Sequence, residues 1–302
     1  MNWIKKTIFI CALYMHQIQS FEIHAHRGAR TIYPENTLPA FKAAWESGAD
    51  FIELDIQITK DRKAIIHHNF SLDPLACSYQ DGSSPQENIF IHSLNLEEIK
   101  KLNFEKKAFW DSSTQQRSIT TTVPTLEEVI DLITHSSHPA AQKIKLNIEL
   151  KRDLRYPHYS LNPHEIVETV LEVVHKKGFS HRVQYSSFDP EILSLLRQQE
   201  PEAILACLFA EEILTFISAN LKVPGLDFIL NFAKDLKINI LSPDHSMIKA
   251  PSQIQEMKKN GFKIIVWTVN DFSRCKELLE MGIDGIITDV PGDLAKKIAP
   301  KS

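Results

Sequence analysis

The sequence predicts an α/β fold, specifically a closed (β/α)8 barrel, and three observations lead to this prediction. Eight short runs with the composition of β-strands follow one another along the chain. Stretches with helical periodicity lie between most of them, which favours parallel strands joined by helical crossovers. The length of 302 residues is typical of one barrel of this kind.

The predicted strands are separated by gaps that leave room for helices. They span residues 22–26, 51–58, 145–150, 183–187, 204–209, 238–242, 263–269 and 285–288. The predicted helices are amphipathic, as the spacing of Leu126, Val129, Ile130 and Ile133 illustrates. They span residues 37–46, 125–134, 163–177, 190–199, 213–219, 252–260 and 272–281.

The run 64–68 does not fit this alternation. It follows the second strand so closely that it can only be the return strand of an antiparallel hairpin, because a parallel neighbour needs a crossover of about a dozen residues. A turn centred on Asp61 and Arg62 would pair Thr59 with Ala64. The same register would place Asp55 opposite His68.

An insertion of about residues 69–123 follows this hairpin. It contains turn-forming residues at 81–85, a predicted helix at 96–102 and a polar tract at 112–122. We expect it to cap the top of the barrel. Both a functional lid and a passive excursion fit this composition.

The N-terminal residues 1–20 resemble an export signal. Lys5 and Lys6 precede an apolar stretch from Thr7 to Met15, and Ser20 is a small residue at a possible cleavage point. This predicts a periplasmic or secreted protein whose single domain spans 21–302, without a stable membrane span, since the apolar stretch is too short to cross a bilayer. The alternative is an apolar element packed on a cytoplasmic domain.

Composition excludes several functional classes. With 43% hydrophobic and 24% charged residues the chain is globular, and a net charge of −4 argues against nucleic-acid binding. The remaining cysteines, Cys77, Cys207 and Cys275, show neither metal-binding nor disulfide spacing, so we expect buried thiols. The sequence does not indicate an oligomeric state.

Three carboxylates in predicted strands suggest a metal site. Glu53 and Asp55 are two positions apart, so both side chains lie on one face of a strand whose other residues are apolar. Buried carboxylates repel each other unless a cation joins them, which favours a metal ion or paired Lys and Arg side chains. Glu149 has similar neighbours in another strand. Three oxygen ligands suit Ca²⁺ or Mg²⁺ better than zinc.

Basic and aromatic residues at predicted strand ends are candidates for catalysis and substrate binding. His26 ends the first strand and precedes Arg27, suited to phosphate contact, and Gly28, suited to a tight turn. His24 is a competing candidate lower in the barrel, and only one of His67 and His68 can point inward. Lys151 could contact phosphate or neutralise Glu149, and Trp267 could line the pocket or belong to the core. Residues set aside as ordinary helix caps are Asp189, Asp244, Asn270 and Asp289.

Taken in order, these motifs resemble the glycerophosphodiester phosphodiesterase family, from residue 23 to about 296. The motifs that carry the resemblance are His26-Arg27-Gly28, Pro34-Glu35-Asn36-Thr37, Glu53-Leu54-Asp55, His68, Glu149-Leu150-Lys151, Trp267-Thr268-Val269-Asn270 and residues 282–289. The resemblance implies a TIM barrel with an insertion after the hairpin that follows the second strand. It also implies metal ligands at Glu53, Asp55 and Glu149, a general acid–base pair at His26 and His68, and phosphate binding by Arg27 and Lys151.

Two positions depart from the family pattern. Asn69 follows His68 where the family usually has Asp, and Arg62 occupies the hairpin turn where Gly is usual. An amide at 69 carries no charge, so it supports a protonated imidazole less strongly than a carboxylate would.

The resulting prediction is metal-dependent hydrolysis of a small-molecule glycerophosphodiester to sn-glycerol 3-phosphate and an alcohol. A lysophospholipid-directed phosphodiesterase with the same metal site is one alternative. Its acyl chain would need an apolar groove, for which the insertion offers Ile89-Phe90-Ile91, Phe104 and Phe109-Trp110. A catalytically silent barrel that binds phosphodiesters is the other alternative.

Overall fold

The computed structural model describes residues 21–74, 77–79, 81–85, 87–107, 118–222 and 224–298. The predicted export signal and Phe109-Trp110 lie outside these ranges. The strands are β1 (Glu22–Ala25), β2 (Phe51–Ile58), β3 (Ala64–Ile66), β4 (Ser71–Leu72), β5 (Cys77–Tyr79), β6 (Ile89–Phe90), β7 (Leu102–Lys107), β8 (Ser118–Thr121), β9 (Lys145–Leu150), β10 (Val183–Ser187), β11 (Ile204–Phe209), β12 (Ile240–Pro243), β13 (Lys263–Val266) and β14 (Gly285–Thr288). The helices are α1 (Leu38–Glu46), α2 (Leu96–Lys100), α3 (Leu126–Thr134), α4 (Pro163–Lys176), α5 (Pro190–Gln199), α6 (Glu211–Leu221), α7 (Gly225–Asp235), α8 (Pro251–Lys259), α9 (Phe272–Met281) and α10 (Pro291–Ile298).

Eight parallel strands close into a barrel. Their order is β1, β2, β9, β10, β11, β12, β13 and β14, and β1 pairs with both β2 and β14. This confirms the predicted (β/α)8 fold. Two predicted strand ends were too long, because β1 stops at Ala25 and β13 at Val266. His26 and Trp267 therefore lie just beyond the strands, at the carboxyl end of the barrel.

Apolar side chains fill both sides of the barrel wall. Residues between the strands and the surrounding helices form the main core, as in α3, where Leu126, Val129, Ile130 and Ile133 are all buried. Inside the barrel, Ala206, Ile240, Ile265 and Ile287 form a second cluster, and Trp267 packs against it. The barrel interior is therefore filled with side chains, and a site at the carboxyl ends of the strands lies directly above this packed layer.

The hairpin forms as predicted, but its register is shifted by one residue. Ile58 rather than Thr59 lies opposite Ala64, and the His67 amide donates to the Asp55 carbonyl at 3.0 Å. The turn causes the shift. Thr59 accepts from the Arg62 amide at 3.0 Å and donates its own amide to Lys63 at 3.0 Å, and Arg62 has a φ of 56°. A left-handed residue after such a turn closes a three-residue loop rather than the two-residue loop we expected.

Replacing Arg62 with Gly should stabilise the protein, because Gly adopts a left-handed φ without the steric cost that a side chain incurs. The replacement also removes an exposed ion pair with Glu168 at 2.7 Å. Arg62→Ala, which loses the pair but keeps the strain, is therefore the matched control. Chemical denaturation should show R62G more stable than R62A by about 1 kcal/mol. Equal stabilities would contradict this account of the turn.

The insertion contains two small antiparallel sheets, β4–β6 and β5–β7–β8, which the sequence did not predict. The predicted helix 96–102 ends earlier, at Lys100, and the end of the predicted polar tract belongs to β8. These elements enclose their own apolar core, which includes the buried residues Ile91 and Phe104. Of the residues we assigned to an acyl-chain groove, these two were therefore assigned wrongly, because they stabilise the insertion itself.

The segment between β11 and β12 contains two helices where the sequence predicted one. Helix α7 was overlooked, although Ile229 and Ala233 recur at helical spacing on its buried face. Helix α10 was also missed. In the described part of the chain no single helix is long and apolar enough to cross a membrane, and α6 and α7 meet that criterion only as a pair bent by 91°.

The cysteine prediction can be examined at three positions. Cys77, Cys207 and Cys275 are buried free thiols. Burial raises the pKa of Cys207 to about 12, so this thiol is not a nucleophile at neutral pH.

Candidate active site

Side chains from three neighbouring barrel strands converge at the carboxyl end of the barrel. His26 and Arg27 follow β1, Glu53 and Asp55 lie in β2, and Glu149 lies near the end of β9. In the β2–β9 ladder Asp55 is paired directly with Glu149. The parallel register therefore brings together carboxylates that are almost a hundred positions apart in the sequence.

Glu53, Asp55 and Glu149 form a tight cluster, with one carboxylate oxygen of each within 4.8 Å of the others. Glu53 is 3% and Asp55 1% exposed. Burial, followed by the charges of Asp55 and Glu149, raises the pKa of Glu53 well above its ordinary value. Burial would raise the pKa of Asp55 too, but Lys151 and Arg27 outweigh it and hold that pKa below its usual range.

Three carboxylates in this cluster contact only two cationic side chains among the described residues, Lys151 and Arg27, so a further cation would balance the charge. Lys151 Nζ lies 2.9 Å from Glu149 and 3.3 Å from Asp55, and Arg27 Nε lies 3.2 Å from Asp55. The Glu53 carboxylate accepts only the Arg27 backbone amide, at 2.8 Å, in the part of the chain that the structure describes. Three convergent oxygen donors with a deficit of positive charge fit a hard divalent cation.

The backbone at Arg27 and Gly28 turns sharply to place the Arg27 side chain and amide in the site. Both residues have positive φ, 54° and 83°. A Cβ on Gly28 would lie 2.8 Å from the carbonyl carbon of Ala40, so only glycine fits there. The predicted tight turn is therefore present, and it directs the Arg27 amide towards Glu53.

The loop before α1 holds the basic and acidic groups in place. Glu35 accepts from Arg27 at 3.0 Å and lies 2.5 Å from Arg30. Asn36, buried and with a φ of 55°, donates to Asp55 at 2.9 Å. The sequence motif Pro34-Glu35-Asn36-Thr37 supported the resemblance, but we had assigned no role to Glu35 or Asn36. In the structure, Glu35 and Asn36 hold the side chains of Arg27 and Asp55 in position through these hydrogen bonds.

His26 is bonded to a residue from the opposite end of the chain. Its Nδ1 donates to Asp289 Oδ1 at 2.7 Å, and Asp289 also accepts from Asn270 at 2.6 Å. Burial alone would raise the pKa of Asp289, but its polar partners outweigh burial and lower it. We had set Asp289 and Asn270 aside as helix caps, and this was wrong. Asp189 and Asp244 do cap helical turns.

His68 has a neutral partner. Its Nδ1 donates to Asn69 Oδ1 at 2.9 Å, so the neutral ring presents a lone pair on Nε2. Burial, and next the charge of Lys151, lower the pKa of His68. His67 lies on the other side, with its ring 6.2 Å from that of Phe104 in the insertion. Thus His68, and not His67, faces the carboxylate cluster.

His24 is packed below the site rather than exposed to it. It is fully buried, and its ring stacks on Phe51 with centroids 4.2 Å apart. Asn147 lies 3.3 Å from Nδ1 and Glu22 3.5 Å from Nε2. Burial lowers the pKa of His24, although Glu22 opposes this effect.

This lowered pKa predicts a pH-dependent loss of stability. As pH falls below about 6.5, the unfolded chain binds a proton at His24 that the folded chain does not. The free energy of unfolding should therefore fall, by up to about 1.4 kcal/mol per pH unit, until the folded-state pKa is reached. Denaturation of wild type and His24→Gln between pH 8 and 5 should show the steeper decline in wild type. Equal slopes would contradict the prediction.

All of the predicted site residues except Asp55 line one inner cavity of about 270 Å³: His26, Arg27, Glu53, His68, Glu149, Lys151 and Trp267. Trp267 forms a wall, because its indole N–H donates to the Ser242 carbonyl at 2.8 Å and its ring meets Phe188 edge-on. An outer cavity of about 730 Å³ shares His68, Glu149, Lys151 and Trp267 with the inner one. A separate cavity of about 680 Å³ lies at the opposite end of the barrel, and none of Glu53, Asp55 and Glu149 lines it.

Comparison with known proteins identifies the family. The sequence profile of the glycerophosphoryl diester phosphodiesterase family matches residues 26–293. The chain belongs to this family. A glycerophosphodiester phosphodiesterase of Caldanaerobacter subterraneus is 32% identical over 271 residues, which cover 89% of this chain and 94% of that protein. Family membership confirms the resemblance found in the sequence and the prediction of a phosphodiesterase.

Solved structures support the fold of the phosphodiesterase. A structure from Silicibacter pomeroyi has a TM-score of 0.76 and 24% identity, covering 91% of this chain and 92% of that one. A phosphodiesterase from Oleispira antarctica, solved in complex with the product sn-glycerol-3-phosphate, has a TM-score of 0.69 and 22% identity, covering 92% and 97%. At these identities the likeness establishes the barrel.

Proposed function

We propose that this phosphodiesterase hydrolyses glycerophosphodiesters to sn-glycerol 3-phosphate and an alcohol, with a divalent metal held by Glu53, Asp55 and Glu149. The observation that carries the proposal is the buried carboxylate cluster facing two histidines across one cavity of about 270 Å³. The oxygen-only donor set favours Ca²⁺ or Mg²⁺. The product complex of the Oleispira antarctica phosphodiesterase supports sn-glycerol 3-phosphate as the product.

A metal bound at the cluster would supply charge neutralisation at the phosphoryl oxygens and a lower pKa for an attacking hydroxyl. That hydroxyl belongs to water or to the 2-position of the substrate's own glycerol. In the second case the alcohol leaves as a 2,3-cyclic phosphate forms, and water then opens the ring to give sn-glycerol 3-phosphate. In our proposal Arg27 and Lys151, which line the inner cavity, bind the remaining phosphoryl oxygens. Both cations are already oriented by carboxylates, so they need little rearrangement when phosphate arrives.

The different partners of the two histidines suggest different roles. His68 has a neutral partner and a lowered pKa, so it is available as the base that takes a proton from the attacking hydroxyl on Nε2. His26 is bonded to a buried carboxylate, which stabilises the protonated ring. We therefore assign His26 as the acid that protonates the leaving alkoxide.

An assay of sn-glycerol 3-phosphate release from the soluble diesters, and of lysophosphatidate release from the lysolipid, tests the function. Glycerophosphocholine, glycerophosphoethanolamine, glycerophosphoglycerol and a lysophosphatidylcholine would be incubated with EDTA-treated enzyme, before and after restoring Ca²⁺ or Mg²⁺. We expect metal-dependent release from the water-soluble diesters. Undiminished release in EDTA would refute the metal role. Binding without turnover would indicate the silent barrel, and exclusive turnover of the lysolipid would indicate the lysophospholipid alternative.

Asp289 is expected to be a positioning residue for His26. Asp289→Asn should lower kcat by about 10–100-fold with little change in metal affinity, because the amide no longer stabilises the imidazolium. The loss should shrink with the 4-nitrophenyl ester of sn-glycerol 3-phosphate, whose phenolate leaves without protonation. Asp284→Asn, at a buried aspartate near the start of β14, is the matched control. If Asp289→Asn lost as much kcat with the 4-nitrophenyl ester as with glycerophosphocholine, a purely structural role would be the better explanation.

A further inference from the structure

The loop between β1 and α1 contacts side chains from both neighbours of β1 in the barrel. Strand β1 lies between β2 and β14. On the β2 side, Arg27 Nε lies 3.2 Å from Asp55 Oδ2. On the β14 side, Arg30 Nη1 donates to Asp289 Oδ1 at 3.3 Å. The turn at Gly28 therefore sends two arginines of one loop to opposite sides of the strand.

Glu35 lies between these two arginines. Its Oε1 accepts from Arg27 Nη1 at 3.0 Å, and its Oε2 lies 2.5 Å from Arg30 Nη2. The side chains of Arg30 and Asp289 are largely buried, so salt screens their contact less than it would at the surface. A continuous series of polar contacts therefore joins the carboxylate cluster to the candidate acid, in the order Asp55, Arg27, Glu35, Arg30, Asp289 and His26.

Arg30 holds two carboxylates of this series with one guanidinium. Its Nη1 contacts Asp289 and its Nη2 contacts Glu35, which a planar fork of N–H donors can do at once. Asp289 Oδ1 also accepts from His26 Nδ1 at 2.7 Å, so Arg30 and His26 share the same oxygen. Neither the inner nor the outer cavity lining includes Arg30. Arg30 is thus placed to act through its neighbours rather than on the substrate.

We propose that Arg30 is a positioning residue that serves both phosphate binding by Arg27 and acid catalysis by His26. The inference rests on the proposed phosphodiesterase function. By pairing with Glu35, Arg30 weakens the hold of that carboxylate on Arg27, which stays available to a phosphoryl oxygen. By fixing Asp289 Oδ1, Arg30 also keeps the imidazole oriented towards the leaving alkoxide.

Arg30→Gln should affect two substrates differently. With glycerophosphocholine, kcat should fall by about 10-fold, because His26 is less well oriented, and KM should rise several-fold, because Glu35 holds Arg27 more tightly. With the 4-nitrophenyl ester of sn-glycerol 3-phosphate, whose phenolate leaves without protonation, KM should rise but kcat should change little. Arg197→Gln removes a half-buried arginine that bonds backbone carbonyls outside the site, and this control should keep both parameters. An unchanged KM, or an equal loss of kcat with both esters, would overturn the proposal.

Double variants assign each effect to one carboxylate, because changes at groups in contact are not additive. In an Asp289→Asn background, Arg30→Gln should lower kcat little further but should still raise KM. In a Glu35→Gln background, Arg30→Gln should no longer raise KM but should still lower kcat for glycerophosphocholine. Additive effects in both backgrounds would refute positioning through these two carboxylates.

If wild type hydrolyses no diester with metal present, the proposed function fails instead, and two binding measurements decide the role of Arg30. Calorimetric titration with sn-glycerol 3-phosphate should show weaker binding by Arg30→Gln than by wild type, and this difference should vanish in a Glu35→Gln background. The proton NMR signal of His26 Nδ1–H should move in Arg30→Gln and stay in place in Arg197→Gln. An unchanged affinity or an unchanged signal in Arg30→Gln would overturn the proposal.

Discussion

Alanine at His26 or His68 is expected to lower kcat by 10²–10⁴-fold, on the order usually lost with a general acid or base. Neither imidazole belongs to the carboxylate cluster, so the affinity for the activating metal should change little. His67→Ala is the matched control, because His67 is adjacent in sequence but packs towards the insertion. Turnover close to wild type in both H26A and H68A would refute the acid–base assignment.

A substrate with a good leaving group separates the two roles. In the 4-nitrophenyl ester of sn-glycerol 3-phosphate the departing phenolate does not need protonation. His26→Ala should therefore recover most of its lost kcat with this ester, whereas His68→Ala should not, because the attacking hydroxyl still has to lose its proton. Recovery of His68→Ala alone would show that the roles are the reverse of those we propose.

Glu53→Gln is expected to have opposite effects on stability with and without metal. In EDTA the variant should unfold at a higher temperature than wild type, because wild-type Glu53 must either keep a buried charge that two neighbouring carboxylates repel or take up a proton that the unfolded chain does not bind. With metal at about 100 times its dissociation constant, wild type should gain about 2.7 kcal/mol, and the variant should gain much less. Its kcat/KM should fall on the order of 10³-fold, as expected when Lewis-acid assistance worth several kcal/mol is lost.

The metal-dependent shift in melting temperature distinguishes this account from a simple ion-pair network. Glu35→Gln is the control, because Glu35 bonds Arg27 and Arg30 but does not belong to the carboxylate cluster. It should keep the full metal-dependent shift. If Glu53→Gln also kept that shift, or melted below wild type in EDTA, Glu53 would not be a metal ligand.

The barrel could be predicted because its strands are short apolar runs and its helices are amphipathic. The carboxylate cluster could be anticipated for a similar reason, since the period of two in a strand places Glu53 and Asp55 on one face. The Glu149-Leu150-Lys151 motif then indicated that the third carboxylate lies on the strand that pairs with β2. The catalytic and ligand roles of these residues stay predictions until the variants are measured.

The contact between His26 and Asp289 could not be predicted, because no local pattern links residues separated by 263 positions. Asp289 follows a strand and precedes a helix, where an aspartate is usually a cap. The hairpin register depended on Arg62 adopting a left-handed conformation, which is unusual for arginine. Helix α7 was overlooked although its buried residues Ile229 and Ala233 recur at helical spacing.

Because β1 pairs with β14, the candidate active site lies across the seam at which the barrel closes. The carboxylate cluster, His68 and Lys151 all belong to the first 151 residues of the chain, whereas the partner of His26 arrives only with Asp289. A chain that ended before β14 would contain every candidate metal ligand but leave His26 without its carboxylate. If the proposed roles hold, catalysis by this phosphodiesterase requires the barrel to close, because only β14 brings the partner of His26 into place.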